Sequence, residues 1–295
     1  MTYGEILAHI YGLRRFGIRP GLERIATLLQ RLGNPQERLR VVHVAGTNGK
    51  GSTAAFLASI LAEGGYRAGL FTSPHLTRFT ERFRINGREI AEEAAARVAG
   101  QVLASAPEGT TFFEVVTAMA LLHFVEEGVD AAILEAGMGG GADATSAATG
   151  ILTVIAPVAL DHCEWLGETI PAIAREKAGL IRAGRPVVLS RQPTDARDVF
   201  IERGRILGAP LVCFGTDFSA AWDESSLAYD GLSRQLTGLR PGIGGRYQLA
   251  NAATALAAAE ILADNGFRLD SSALRVGIDA ARWPGRMELF AGAPR

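Results

Sequence analysis

Only two of the 30 basic residues in this 295-residue chain are lysine, Lys50 and Lys177; every other one is arginine. An arginine bias replaces lysine wherever any cation serves, so a lysine that remains is a candidate for chemistry arginine cannot perform. Such chemistry is a compact charge on a phosphate, or an amine that can lose its proton and be modified. Lys50 lies in Ala45-Gly46-Thr47-Asn48-Gly49-Lys50-Gly51-Ser52-Thr53, between a strand-like and a helix-like run. There, backbone N–H groups and a positive helix terminus can cradle phosphate. The loop departs from G-x-x-x-x-G-K-[ST], because Val44 takes the first glycine position and Gly51 separates Lys50 from Ser52. The plainer alternative is a glycine turn with an incidental lysine.

Three more residues could join a phosphate site. Glu135 ends an apolar run and is followed by Ala136-Gly137-Met138-Gly139-Gly140. Magnesium needs only one or two carboxylates beside hydroxyls, retained waters and phosphate oxygens; otherwise Glu135 is an exposed strand-end charge. His162 follows Asp161 after an apolar segment, and taken alone reads as a structural histidine. Lys177 sits in an amphipathic helix, where the plainer reading is a surface lysine.

The elements that would position these residues follow from apolar periodicity. Helices are expected over 5–16 and 22–32, with Gly17-Ile18-Arg19-Pro20-Gly21 as the loop between them. Strands are expected over 41–45, 68–71, 131–135, 151–155, 186–189 and 211–214. Helices are expected over 52–63, 91–103, 112–126, 170–181, 195–207, 248–263 and 271–281. Short apolar strands alternating with helices indicate an α/β fold with a mainly parallel sheet covered on both faces, which binds ligands at the carboxyl ends of its strands. Residues 219–245 read as a small antiparallel excursion.

Composition narrows the function classes. With 30 basic against 31 acidic residues and a net charge of -1, the chain lacks the concentrated positive surface that nucleic acid or an anionic membrane selects. The N-terminus has no signal-peptide pattern. The longest apolar stretch, 115–125, is too short to span a bilayer, and Cys163 and Cys213 form no disulfide framework. These features lead us to expect a cytoplasmic protein acting on small molecules.

The loop with Val42-His43-Val44-Ala45 in front of it resembles the ATP-binding loop of the Mur ligase superfamily, most closely that of the folylpolyglutamate synthase and dihydrofolate synthase family. Further segments follow in that family's order: Phe71-Thr72-Ser73-Pro74-His75-Leu76, Glu81-Arg82-Phe83-Arg84-Ile85-Asn86-Gly87, Thr111-Phe112-Phe113-Glu114, Asp161-His162, Glu176-Lys177-Ala178-Gly179 and Trp283-Pro284-Gly285-Arg286. The resemblance implies a P-loop NTPase-like Mur ligase central domain. It implies an enzyme in which ATP activates the carboxylate of dihydropteroate or a folate as an acyl phosphate that L-glutamate then attacks. It further implies ATP contacts at Thr47, Asn48, Gly49, Lys50, Gly51, Ser52, Asn251 and Arg286. Ser73, Glu135, His162 and a carbamylated Lys177 would hold two magnesium ions, with Lys50, Lys177 and His162 acting in catalysis. Pterin contacts would come from Gly17, Ile18, Arg19, Thr111, Phe112, Phe113, Glu114, Ala142, Asp143 and Ala144, although Phe112 and Phe113 read equally well as core.

The chain departs from the family in two places. The family's G-G-R-L-D-A-T-N stands here as Gly139-Gly140-Gly141-Ala142-Asp143-Ala144-Thr145-Ser146, so a guanidinium able to hold a carboxylate is replaced by glycine. Tyr247 replaces the histidine of the HQ-x-x-N-A-A segment. The resemblance also implies a Rossmann-like domain after WPGR, so residues 1–285 are expected to be the ligase domain and 286–295 the start of a linker. Three readings stand: a monomeric ligase, a nucleotide-binding module without ligase activity, and a ligase of the same superfamily for another carboxylate.

Overall fold

In the computed structural model, residues 2–287 are described except Ile18 and Pro20, and only the backbone of Arg15 and Phe16. The candidate Ile18 and the segment 288–295 lie outside the described residues. The strands are β1 Val41–Ala45, β2 Ala68–Phe71, β3 Phe83–Ile85, β4 Arg88–Glu89, β5 Ala131–Glu135, β6 Gly150–Ile155, β7 Val187–Leu189, β8 Leu211–Cys213, β9 Ser219–Asp223, β10 Ser226–Asp230 and β11 Gln235–Leu239. The helices are α1 Tyr3–Gly12, α2 Glu23–Arg31, α3 Lys50–Glu63, α4 Glu92–Ser105, α5 Phe112–Glu126, α6 Cys163–Leu166, α7 Ile170–Ala178, α8 Thr194–Leu207, α9 Gln248–Asp264 and α10 Ser271–Ala280.

Strands β1 to β8 form one eight-stranded sheet in the order β4-β3-β2-β5-β1-β6-β7-β8. From β2 to β8 all neighbours pair in parallel, which is the expected α/β arrangement. Strands β3 and β4 form an antiparallel edge hairpin that the apolar pattern does not announce. They are short and carry Arg84, Arg88 and Glu89, so period-two hydrophobicity is missing. The turn is the readable signal: Asn86 and Gly87 both have positive φ, 47° and 76°, as a two-residue hairpin turn requires. The small excursion is confirmed as the separate antiparallel sheet β11-β10-β9.

Helices cover both faces of the sheet. On one face α3, α9, α10 and the small sheet share a core with Val42 and Val44; on the other α1, α2, α4 and α5 pack on Val41, Phe71 and Leu134. Helices α3 and α9 are apolar on nearly every side because each lies between other layers. A third cluster joins α7 and α8 to β7 and to the ends of β1 and β6. Helix α7 stops at Ala178 rather than continuing to Ile181, and α1 stops at Gly12 before a short 3-10 turn.

Candidate active site

Strands β2, β5 and β1 lie side by side and all end at one edge of the sheet, so the loops that follow them converge. The loop after β1 turns sharply at Gly46, where an added side chain would strike Ala156 at 2.8 Å. At Gly49 the backbone is left-handed, φ 81°, and the Cα faces the Asn251 side-chain oxygen. Glycine alone meets both demands. The Thr47 and Asn48 N–H groups donate to the Pro157 carbonyl at 2.9 and 3.1 Å. The donors that face a phosphate are therefore those opening α3, which have no acceptor within a helix. Lys50 Nζ folds over the loop and donates to Thr47 O at 3.2 Å, and the Thr47 hydroxyl donates to Ala159 O at 3.1 Å. Asn251 Nδ2 donates to Gln248 Oε1 at 2.7 Å, and Gln248 Nε2 to the Ser52 hydroxyl at 3.3 Å, tying α9 to the loop. Tyr247 is exposed.

Glu135 is not an exposed strand-end charge: it is 5 % exposed and accepts the Ser73 N–H at 3.1 Å. Burial pushes its carboxyl up to about 7, against the pull of Lys50, the Ser73 N–H, Arg286 and Arg82. Lys177 is not a surface lysine either. It is 5 % exposed, and burial together with the charge of Lys50 brings its ammonium down to about 8. Lys50 thus lies electrostatically close to both Glu135 and Lys177. His162 is exposed, left-handed at φ 48° and 3.7 Å from the carboxylate of Asp161, so it is not a satisfied core histidine.

Lys177 is positioned by glycines. The run 137–141 lies against the end of α7, and a side chain at Gly140 would meet the Glu176 carbonyl and, at 2.8 Å, the Lys177 Cα. The Gly141 N–H donates to Glu176 O at 3.3 Å. At Gly141, which stands where the family has arginine, an added side chain would begin 3.2 Å from the Gly179 Cα. The Ser146 hydroxyl donates to Gly141 O at 2.7 Å and closes that loop.

Beside these residues lies a cavity of about 410 Å³. Its walls bring together the predicted pterin residues Gly17, Arg19, Thr111, Phe112, Phe113, Glu114, Ala142, Asp143 and Ala144, with Ser73 and His162 at one side. Phe112 stacks on Tyr11 with centroids 5.9 Å apart, and Phe113 lies against Gly137 and Phe71, so each serves both wall and core. Glu114 and Asp143 have structural duties. Glu114 accepts the Thr111 N–H at 2.7 Å, capping α5, and pairs with Arg24 at 3.1 Å. Asp143 accepts from the N–H groups of Gly137, Met138 and Thr145, each at 3.0 Å. Residues that sequence reasoning did not select, Arg82, Met138, Trp165 and Glu176, also line the cavity. Trp165 carried a readable signal, being four residues from Asp161 in an otherwise polar stretch.

A second cavity of about 260 Å³ shares Ser73 and Pro74 with the first and holds Gly51, Arg84, Glu135, Trp283 and Arg286. Among the described residues no three of His, Cys, Asp and Glu gather as a metal cluster. A cation here would therefore draw on Glu135 with hydroxyl, water and phosphate oxygens, donors of the kind magnesium takes.

Similarity to known proteins identifies the family. The Mur ligase middle domain family matches residues 44–259. The dihydrofolate synthase/folylpolyglutamate synthase of Bacillus subtilis is 38% identical over 99% of this chain and 71% of its own length. The FPGS-AMPPCP-folate complex superposes with a TM-score of 0.91 at 36% identity, covering 98% of this chain and 74% of that one. The Escherichia coli FolC complex with DHPP and ADP gives 0.89 at 34%, covering 98% and 69%. With its loop, glycine run and buried lysine in this arrangement, the chain belongs to the dihydrofolate synthase/folylpolyglutamate synthase family of Mur ligase enzymes.

Proposed function

We propose that this chain is an ATP-dependent ligase that joins the carboxylate of dihydropteroate or a folate to the amine of L-glutamate through an acyl phosphate. The observation that carries the reading is that the aromatic-walled cavity meets, at Ser73 and Pro74, a second cavity that reaches Gly51 of the loop and Glu135. A carboxylate tail leaving that cavity beside Ser73 arrives where the γ-phosphate of a nucleotide on the loop would lie. Relatives solved with a nucleotide and with folate or DHPP support the two ligand classes.

Phosphoryl transfer is catalysed mainly by positioning and by neutralising charge. The N–H groups opening α3 and the Lys50 ammonium hold the phosphates, and Lys50 offsets charge on the migrating group. Gly49, Gly51 and Ser52 let the chain pass close to the nucleotide, Asn251 faces its base and Arg286 a phosphate. Ser73, Glu135, His162 and carbamylated Lys177 would hold two magnesium ions, which when bound screen the phosphate oxygens. The buried Glu135 carboxylate, with one protein donor, and the buried, easily deprotonated Lys177 amine fit that role. Arg19, Thr111, Phe112 and Phe113 orient the pterin-linked acid, Gly17 and Ala142 leave it space, and Glu114, Asp143 and Ala144 keep the wall in shape.

The unit proposed to carry this chemistry is residues 1–285, working as a cytoplasmic monomer. Two free cysteines support that address, and no described helix is long and apolar enough to cross a membrane. The test is phosphate release with Mg-ATP and L-glutamate, comparing dihydropteroate with a reduced folate. Release that requires glutamate and either pterin is expected. Nucleotide binding with no glutamate-dependent release would replace the ligase by a binding module.

A further inference from the structure

We propose that the second cavity seats the amino-acid substrate and that Arg84 grips one of its carboxylates, an inference that rests on the ligase reading above. Arg84 lies on β3 and is 8 % exposed, yet the protein does not satisfy it. Its Nε is buried without a hydrogen-bond partner, and its nearest carboxylate, Glu89, is 3.7 Å from Nη2. Glu89 is already engaged by Arg78 and Thr80 at 2.8 and 2.7 Å. A buried guanidinium left short of partners is costly unless a ligand completes it, and its planar fork matches a carboxylate.

The surroundings favour an amino acid over the nucleotide. Strand β3 is three strands away from β1, which feeds the phosphate loop, roughly 14 Å at ordinary strand spacing. The Trp283 ring stands between them: a side chain added at Gly51 would come within 3.1 Å of its edge, and the Arg84 guanidinium is 5.2 Å from its centroid. Of the two acids in this wall, Glu81 is spoken for, its carboxylate accepting the N–H groups of Leu76, Thr77 and Arg78 at 2.8, 3.0 and 2.7 Å, and Glu135 accepts the Ser73 N–H. Arg286, proposed above to meet a phosphate, also lines this cavity, which leaves Arg84 as the guanidinium open to the amino acid.

The shared wall supplies the reaction geometry. The acyl group enters from the first cavity and the amine from the second, and they meet at Ser73 and Pro74, which line both. The amine lone pair forms the C–N bond, the C–O bond to phosphate breaks with its electron pair on phosphate, and the amine proton leaves to solvent.

The test compares wild type, Arg84→Gln and Arg84→Lys with glutamate and with hydroxylamine, which traps an acyl phosphate as a hydroxamate without an amino-acid site. Losing a charge-assisted pair should raise the glutamate KM of Arg84→Gln about tenfold to a hundredfold. The KM values for ATP and pterin should stay put, the ratio of glutamate product to hydroxamate should fall, and Arg84→Lys should recover part of it. A raised ATP KM with an unchanged glutamate KM would overturn the assignment, as would glutamate and hydroxylamine products falling in parallel in both variants. Absence of hydroxamate from the wild-type protein would instead remove the ligase reading itself, and this assignment with it.

Discussion

Lys177 offers the sharpest test of the site, because its proposed modification requires a neutral amine. Burial and the neighbouring charge of Lys50 hold its ammonium at about 8 in place of 10.5. At pH 7 roughly 9 % of the amine is then neutral, against roughly 0.03 % for an ordinary lysine, an advantage of roughly 300-fold. The amine lone pair attacks carbon dioxide, the N–C bond forms and a proton is released, turning a cation into a carboxylate. The assay is 13C NMR of protein equilibrated with labelled carbon dioxide at fixed dissolved concentration from pH 6 to 10, alongside phosphate release in gas-stripped buffer. Loading should be appreciable between pH 7 and 8, where an ordinary lysine is almost wholly protonated, turnover should fall when carbon dioxide is removed and return with it, and Lys177→Arg should abolish both. Turnover retained in Lys177→Arg, or no carbamate signal below pH 9, would refute the reasoning.

The same burial should make Lys177 a burden on folding. Between pH 8 and 10.5 the unfolded chain keeps a proton that the folded one has released, so stability gained through this group rises with pH across that window. Lys177→Met should accordingly be more stable at pH 7 by on the order of 3 kcal/mol while inactive, with the difference shrinking towards pH 10 in urea titrations. Glu135, held at about 7 by burial, must lose its proton to hold a cation. The magnesium concentration for half-maximal turnover should therefore rise about tenfold per unit of pH below 7, and a flat profile from pH 6 to 8 would dismiss Glu135 as a ligand. Gly140→Ala places a methyl group against the Glu176 carbonyl and the Lys177 Cα. It should cost about 1–3 kcal/mol in thermal unfolding and depress Lys177 loading together. Thr111→Val removes the cap of α5, where the Glu114 N–H donates to its hydroxyl at 3.3 Å, and should lower stability by about 1 kcal/mol.

Much of the scaffold was legible because its determinants are local. The runs 41–45, 68–71 and 131–135 are uninterrupted or nearly uninterrupted apolar segments of strand length, and 112–126 is bounded by a Thr111 and Glu114 capping pair; all four have the boundaries read from sequence. The loop around Lys50 was readable for the same reason, since strand, glycines and helix follow one another in the chain. The β3–β4 hairpin escaped because its strands are polar and short, leaving Asn86-Gly87 as the sole cue.

What the chain's order did not disclose is which distant loops share a site and which side chains leave water. Ser73 and Glu135 are 62 residues apart, Gln248 and Ser52 are 196 apart, and each pair meets only through the order β2-β5-β1-β6 and the docking of α9 on α3. The burial of Lys177 depends on bare glycines admitting the end of α7. The unsatisfied state of Arg84 depends on Glu89 being occupied by other donors. Local periodicity determines elements, because backbone hydrogen bonds and apolar faces are short-range properties. Proton affinity and ligand geometry depend on desolvation by every layer packed around a group, so tertiary structure alone decided that Lys177 is a buried amine that gives up its proton easily and Glu135 a buried carboxyl that holds its proton unusually well.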